Sequence, residues 1–334
     1  MKRVVCLGQS RVELQDVAIP EPADNQVLVR TVVSALCGSE MKDYRSNGIA
    51  GGNIGHEAAG IIEAVGADVK YLKPGMRVGV SAIAGCGQCD QCKAGRYTWC
   101  SHFSFFGNMH SEYFVIPELA CHVLPDDVPW EVGVLITGDG LGVPFHTATK
   151  ISDSQIKTVA VLGLGPIGLG NVLMQSYLGR DVIGVDISEH RLSLATKMGA
   201  KHVIKAQGDV IDRIKLLTDG RGVDVCIEAA GLPVTAMQCF KAVRVGGTVV
   251  FNGEQSRIEI SPSEDLIRRD IHAIGAWFYH FCEFKGMLEL FHKGLNIGLL
   301  NTTRMNVKSA SDGYTLMAEG RCGKCLLTYE KSDK

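Results

Sequence analysis

No run of eighteen apolar residues occurs anywhere in the 334-residue chain, so a bilayer-spanning helix is not expected. A basic surplus is missing too. Thirty-four Lys and Arg stand against 36 Asp and Glu, for a formal net charge of -2, which speaks against a general binder of nucleic-acid phosphates. Internal repeats and low-complexity tracts are absent, and with 46% hydrophobic and 21% charged residues the composition is that of a folded chain rather than a disordered one. The opening Met1-Lys2-Arg3 is followed only by the short apolar stretch Val4 to Gly8, too short for a secretory signal. A cytoplasmic protein with no nucleic-acid or membrane partner is expected.

Glycine and cysteine are what the chain has in quantity. Thirty-nine glycines against 10 prolines point to tight turns and close backbone–ligand approach. Twelve cysteines in a reducing compartment are candidate metal ligands where they cluster, rather than disulfides. The length exceeds what one core fills, so two domains are expected. Residues 1–145 alternate short β-like runs with glycine and proline, as in Val27 to Val33 and Ile61 to Val65. Residues 146–277 alternate apolar strands (Val159–Leu162, Val182–Val185, Val223–Ile227, Thr248–Phe251, Ile271–Ile274) with helix-like segments (Ile167–Leu178, Ser188–Met198). That alternation predicts βαβ units and a buried parallel sheet. Residues 278–334, with a helix from Glu283 to His292 and a strand at Cys325–Tyr329, are too few for their own core and are expected to pack onto the first stretch.

Thr158 to Gly168 reads as a strand running into Gly163-x-Gly165-x-x-Gly168 and then a helix. The first glycine makes the turn, the second admits a pyrophosphate to the backbone, and the third lets helix pack on strand. Pro166 suits an early helical position, and Ile167 follows it. Asp186 ends the next strand, where an acid accepts the ribose hydroxyls and repels a 2′-phosphate; a helix cap before Ser188 is the alternative. His190 and Arg191 lie close by. NAD rather than NADP is expected.

Cys86, Cys89, Cys92 and Cys100 place four thiols within fifteen positions, the donor set of a closed structural zinc. A nucleic-acid-binding finger is disfavoured because the loop offers only Lys93 and Arg96 against Asp90. Cys322-x-x-Cys325 runs into an apolar strand and reads as core packing rather than a redox pair. Cys6, Cys121, Cys226, Cys239 and Cys282 are isolated, and buried thiols are expected. Cys37-Gly38-Ser39-Glu40 follows a strand, and Gly55-His56-Glu57 opens another. Spacing alone does not bring the two together.

These motifs combined resemble the zinc-dependent medium-chain alcohol and polyol dehydrogenases, nearly end to end: Cys-Gly-Ser-acid, Gly-His-Glu-x-x-Gly (Gly55 to Gly60), the four-cysteine lobe, the glycine loop and Glu228-Ala-Ala-Gly231. The resemblance implies an α/β protein, with a GroES-like, mainly β catalytic domain (1–145 and 278–334) and a Rossmann, doubly wound, parallel-sheet cofactor domain (146–277). It implies one catalytic and one structural zinc. Cys37 and His56 would hold the catalytic zinc, with Glu57 as a ligand or in the shell behind the ligands. The remaining ligand falls on Asp139, which sits seven positions before His146 as a glutamate does in sorbitol-dehydrogenase-like members. Aspartate is one methylene shorter, and the flanking Gly138 and Gly140 would permit closer approach; a plain turn residue is the alternative. Ser39 becomes the inner relay hydroxyl. Lys42 stands where many relatives carry the relay's outer histidine. Ala230 and Asn252 join Gly163, Gly165, Pro166, Ile167, Gly168, Asp186 and Arg191 around the cofactor. The activity implied is exchange of hydride between a small-molecule secondary alcohol, a polyol or sugar alcohol, and NAD. L-threonine 3-dehydrogenase-like oxidation is the rival, and a non-zinc quinone or enoyl reductase is disfavoured by the ligand set. Relatives imply a homo-oligomer, a tetramer ahead of a dimer. Phe103, Phe105, Phe106, Trp130, Trp277 and Tyr279 either shape a pocket or fill the core.

Overall fold

The computed structural model describes residues 1–49 and 54–330. The chain divides into two compact units, Met1–Gly142 with His280–Lys334, and Val143–Tyr279. The last four residues of the expected 278–334 stretch lie outside the described residues.

The first unit opens with an antiparallel hairpin of β1 (Lys2–Gly8) and β2 (Arg11–Asp16). β3 (Gln26–Leu36) is its longest strand, rich in β-branched residues that suit a pleated surface, and eight of its eleven residues, all but Gln26, Arg30 and Val32, are buried. Gly38 to Arg45 form a 3-10 turn at Gly38–Glu40 and helix α1 (Met41–Arg45). There follow β4 (Ala58–Val65), β5 (Arg77–Val80), the short pair β6 (Ile83–Ala84) and β7 (Ser104–Phe105), β8 (Tyr113–Pro117) and β9 (Cys121–Val123). Between β6 and β7 runs the cysteine-rich loop with helix α2 (Asp90–Lys93). Helices α3 (Trp130–Ile136) and α4 (Asp139–Lys150) come next.

In the second unit β10 (Thr158–Leu162), β11 (Asp181–Asp186), β12 (His202–Lys205), β13 (Val223–Glu228), β14 (Val243–Phe251) and β15 (His272–Gly275) form one parallel sheet. Its order is β12-β11-β10-β13-β14-β15, which ranks as 3-2-1-4-5-6, the doubly wound order. Val159 to Leu162 are fully buried, as expected of a parallel strand covered on both faces. Helices α5 (Pro166–Tyr177), α6 (Glu189–Lys197), α7 (Val210–Leu216) and α8 (Pro233–Ala242) connect the strands. Ser188 caps α6 by accepting from the Arg191 N–H, and Asp209 caps α7 in the same way from Asp212.

The chain then returns to the first unit with α9 (Phe284–His292), β16 (Asn301–Asn306), α10 (Ala310–Ala318) and β17 (Lys324–Thr328). β17 pairs antiparallel with the carboxyl end of β3, so the sheet runs β16-β17-β3-β4-β5-β9, with β8 also on β3. Cys322 and Cys325 are fully buried in the cluster around Leu36, Tyr44 and Tyr314, which is core packing as the sequence suggests. All the cysteines are free thiols, and Cys6, Cys121, Cys226 and Cys239 are buried. Cys282 is a correction, because it is exposed. Its neighbour Phe281 stacks inward on His122 and Tyr97, while the Cys282 N–H donates to the Gly95 carbonyl, and this turns the thiol outward. Among the aromatics, Tyr279 is core, whereas Phe103, Phe105 and Trp277 are about half exposed. Among the described residues no helix is long and apolar enough to cross a membrane.

Candidate metal centre

Two groups of potential metal-binding side chains exist among the described residues, and they coincide with the two sets named from the sequence. In the first, Cys37, His56, Glu57 and Asp139 bring one donor atom each within 4.8 Å of one another, all buried. Cys37 lies just past the end of β3, His56 and Glu57 lead into β4, and Asp139 opens α4. An acid in a helix's first turn is favoured by the unpaired N–H groups there. His56 Nε2 is 3.0 Å from Asp139 Oδ2, and Cys37 Sγ is 3.4 Å from the same oxygen. Asp139 Oδ1 is buried with no hydrogen-bond partner among the described residues. The glycines flanking Asp139 are needed for packing: a Cβ at Gly138 would lie 2.5 Å from a Glu57 carboxylate oxygen, and one at Gly140 would meet Leu135.

A residue not anticipated from the sequence completes the group. Lys324, on β17, is 1% exposed and its ammonium donates to Glu57 Oε1, while the Gly140 N–H donates to Oε2 at 3.3 Å. The only clue in the sequence was a lysine within an otherwise apolar strand. Burial pulls Lys324 down, but Glu57, Cys37 and Asp139 outweigh it and hold the ammonium charged. Burial likewise opposes ionisation of Asp139, and the hydrogen bond from His56 overcomes it, so its carboxyl lies below the ordinary range. Burial would keep His56 neutral; the Cys37 sulfur and Asp139 instead raise it well above its usual value.

This donor set fits a divalent cation. With Cys37 as thiolate, three anions against one ammonium leave two negative charges, which a 2+ ion cancels. The proton held by His56 and the orphaned Asp139 oxygen mark the same need for positive charge. Thiolate, imidazole and carboxylate are all zinc donors. Ser39 and Lys42, on the turn and helix after Cys37, are exposed and outside this group; His146 lies further along α4 and is also outside it. The ring of Phe105 stands 5.5 Å from that of His56.

Cys86, Cys89, Cys92 and Cys100 form the second group. Cys89 and Cys92 sulfurs are 3.5 Å apart and Cys86 and Cys92 sulfurs 3.9 Å, close to the edge of about 3.8 Å that a tetrahedral zinc–thiolate site requires. Backbone N–H groups of Gln88 and Cys89 lower Cys86 to about 6, whereas burial raises Cys92 to about 12. Thr98 Oγ1 at 2.7 Å from His280 Nδ1, and Trp99 packed edge-on against the same ring, moor the lobe to His280.

In the second unit, Gly165 is the N-cap of α5, with no side-chain cap, and a Cβ there would meet nothing within 4 Å. Uncapped N–H groups beside open space make a cradle for phosphate. Pro166 is the first helical residue, followed by Ile167 and Gly168; Gly163 packs against Ala230. Asp186 is 7% exposed, and its two oxygens accept from Leu164 N at 2.6 Å and Ser188 N at 2.8 Å. Each oxygen keeps a further lone pair for a ribose hydroxyl. The cap of α6 is Ser188, not Asp186. Asn252 is bonded to Thr147, Asn171 and the Ala276 carbonyl, so it also braces this unit.

The alcohol dehydrogenase GroES-like domain model matches residues 23–126, and the zinc-binding dehydrogenase model matches residues 166–293. Sorbitol dehydrogenase of Bacillus subtilis is 32% identical, over 98% of this chain and 97% of its own. L-threonine 3-dehydrogenase of Anaeromyxobacter sp. strain K is 29% identical, over 94% of each. An alcohol dehydrogenase of Escherichia coli CFT073, solved with NADH, has a TM-score of 0.85 at 25% identity, covering 98% of this chain and 99% of that one.

Proposed function

The chain belongs to the zinc-binding alcohol dehydrogenase family, with a GroES-like and a Rossmann-type domain, and on that premise we propose that it interconverts a secondary alcohol and its ketone with NAD, a polyol or sugar alcohol being the favoured substrate. The buried Cys37–His56–Glu57–Asp139 group, balanced by Lys324, is the observation that carries this reading. Zinc held there would supply the Lewis acidity that lowers the pKa of an alcohol hydroxyl. NAD held by the second unit would supply the hydride acceptor.

The chain's own residues do the rest. Cys37, His56 and Asp139 present the donors, and Glu57, tied to Lys324, is a ligand or lies just behind them. Ser39, exposed two residues after Cys37, takes the alcohol's proton, and Lys42 on α1 is the outer group of that path. Gly163, Gly165 and Gly168 admit the pyrophosphate, Asp186 accepts the ribose hydroxyls, and Arg191, Ala230 and Asn252 border the same coenzyme. The four-cysteine lobe holds a second, structural zinc. Carboxylates at the metal centre favour substrates with several hydroxyls. L-threonine 3-dehydrogenase-like oxidation is the second reading, because proteins of that name are similar to a comparable degree. We place the protein in the cytoplasm as a homo-oligomer, a tetramer ahead of a dimer.

The test is NAD reduction by zinc-replete protein over polyols, secondary alcohols, sugars and threonine. Turnover of a polyol is the expected result. Faster turnover of threonine selects the second reading, and no reduction with any alcohol overturns both.

A further inference from the structure

Glu40 gathers a chain of buried polar groups that the proposed chemistry leaves unused. It is 5% exposed and sits on the 3-10 turn after Cys37. Its Oε1 accepts from the Cys37 N–H at 3.3 Å and lies 3.9 Å from His56 Nδ1. Tyr314 donates its hydroxyl hydrogen to Oε2, and His110 Nε2 is 3.2 Å from both oxygens. On its other side, His110 Nδ1 is 2.8 Å from Ser34 Oγ, which is 2.9 Å from the Tyr329 hydroxyl. His110, Ser34 and Tyr314 are fully buried.

The donors and acceptors in this chain have one consistent direction. A carboxylate only accepts, so His110 carries its hydrogen on Nε2 and points it at Glu40. In the neutral ring Nδ1 then accepts from Ser34, and Ser34 accepts from Tyr329. The ring's place is also fixed by the backbone. Met109 donates to the Gly55 carbonyl, and Gly55, at φ +95°, comes so near that a Cβ would lie 2.5 Å from the His110 ring. The loop that carries His56 therefore rests directly on His110.

We propose that His110 is a positioning residue for the metal centre: by donating to Glu40 it aims that carboxylate at Nδ1 of His56, and so sets how His56 presents Nε2 beside Asp139. The reason is general. A ligating imidazole whose second nitrogen faces a fixed carboxylate has its tautomer and orientation set by that partner. With Tyr314 on Oε2, the Cys37 N–H on Oε1 and His110 shared between the two, Oε1 is the carboxylate oxygen that lies nearest His56, 3.9 Å from its Nδ1. The inference rests on reading Cys37, His56, Glu57 and Asp139 as a metal site.

The experiment compares His110→Gln with His110→Asn in the full chain, loaded with Co2+ in place of zinc. Glutamine reaches as far as Nε2 and keeps the donor to Glu40; asparagine reaches only as far as Nδ1 and loses it. The Asn variant should bind Co2+ at this centre about 10–100-fold more weakly by chelator competition, with shifted visible bands. The Gln variant should stay within about threefold of the parent, and the Co2+ bands of the four-cysteine lobe should not change in either. Equal affinity and spectra in the parent and both variants overturn the proposal, as does equal weakening in both. Ser34→Ala, a milder change, should weaken binding in the same direction; no change there overturns the chain beyond His110. Cys37→Ser separates the two readings. If it leaves Co2+ binding at the centre intact, the metal site itself is wrong; if it abolishes binding while His110→Asn does not, only the role of His110 falls.

Discussion

Removing the ammonium of Lys324 would strand Glu57, a carboxylate with no exposed surface, without its counter-charge. Breaking a buried pair from one side costs about 3–5 kcal/mol, because the remaining charge stays desolvated. Lys324→Met should therefore lower the unfolding free energy from urea titration by that amount, and Lys324→Arg should recover part of it. Proton competition acts at His56. Its folded value is raised, so in the metal-free protein it stays protonated to a higher pH than an ordinary histidine, whereas a metal needs it neutral. Zinc affinity should thus fall as the pH drops through that raised value, by up to about tenfold per pH unit, in chelator competition followed down towards the ordinary histidine range. Cys37, His56, Glu57 and Asp139 were nameable from the sequence because family motifs carry them. Lys324 and His110 were not. Each is a single polar residue in an apolar or turn context, and its meaning comes only from partners 267 and 70 positions away.

Asp224 shows how one side chain can join three strands. From β13 it accepts from the Lys157 and Thr158 N–H groups and the Thr158 hydroxyl at the head of β10, and from Arg244 Nε at 2.6 Å on β14. Burial opposes its ionisation, but Arg244 and those backbone groups bring it down to about 2. A depressed acid contributes stability above its unfolded value, and that contribution is lost as the pH falls from about 4 to about 2. Asp224→Ala should cost about 1–2 kcal/mol at pH 7, allowing for its partial exposure, and the gap from the parent should close by pH 2 in urea titrations. Most of the second unit's strands and two of its helices were legible within a few residues, because apolar runs and Gly-x-Gly-x-x-Gly leave few alternatives. α4 was not. Gly140, Gly142 and Pro144 are poor helix formers, and the helix is decided by the burial of Leu141 and Val143 rather than by local preference. β12 escaped notice too, since only Ile204 of its four residues is buried.

The two proposed metal centres make a measurable stoichiometry. The parent should carry two zinc ions per chain, and Cys37→Ser should carry one while remaining folded, by elemental analysis and circular dichroism. Cys92→Ser should instead unsettle the lobe, and with it the packing of Tyr97 and His122 on Phe281. At this scale the parallel sheet was readable from alternation alone, while its doubly wound order and the first unit's architecture were readable only through family resemblance. Its strands are short, and its longest, β3, is paired at one end by β17 from the far end of the sequence.

That pairing has a consequence for the newborn protein. Glu57 leaves the ribosome 267 residues before Lys324, an interval of roughly 15–50 s at ordinary elongation rates. Throughout it, the nascent first unit carries its acidic cluster with neither the closing strand nor the ammonium that offsets it. Either a metal ion arrives early and stands in for the lysine, or this part of the molecule waits, open, until Lys324 has been made.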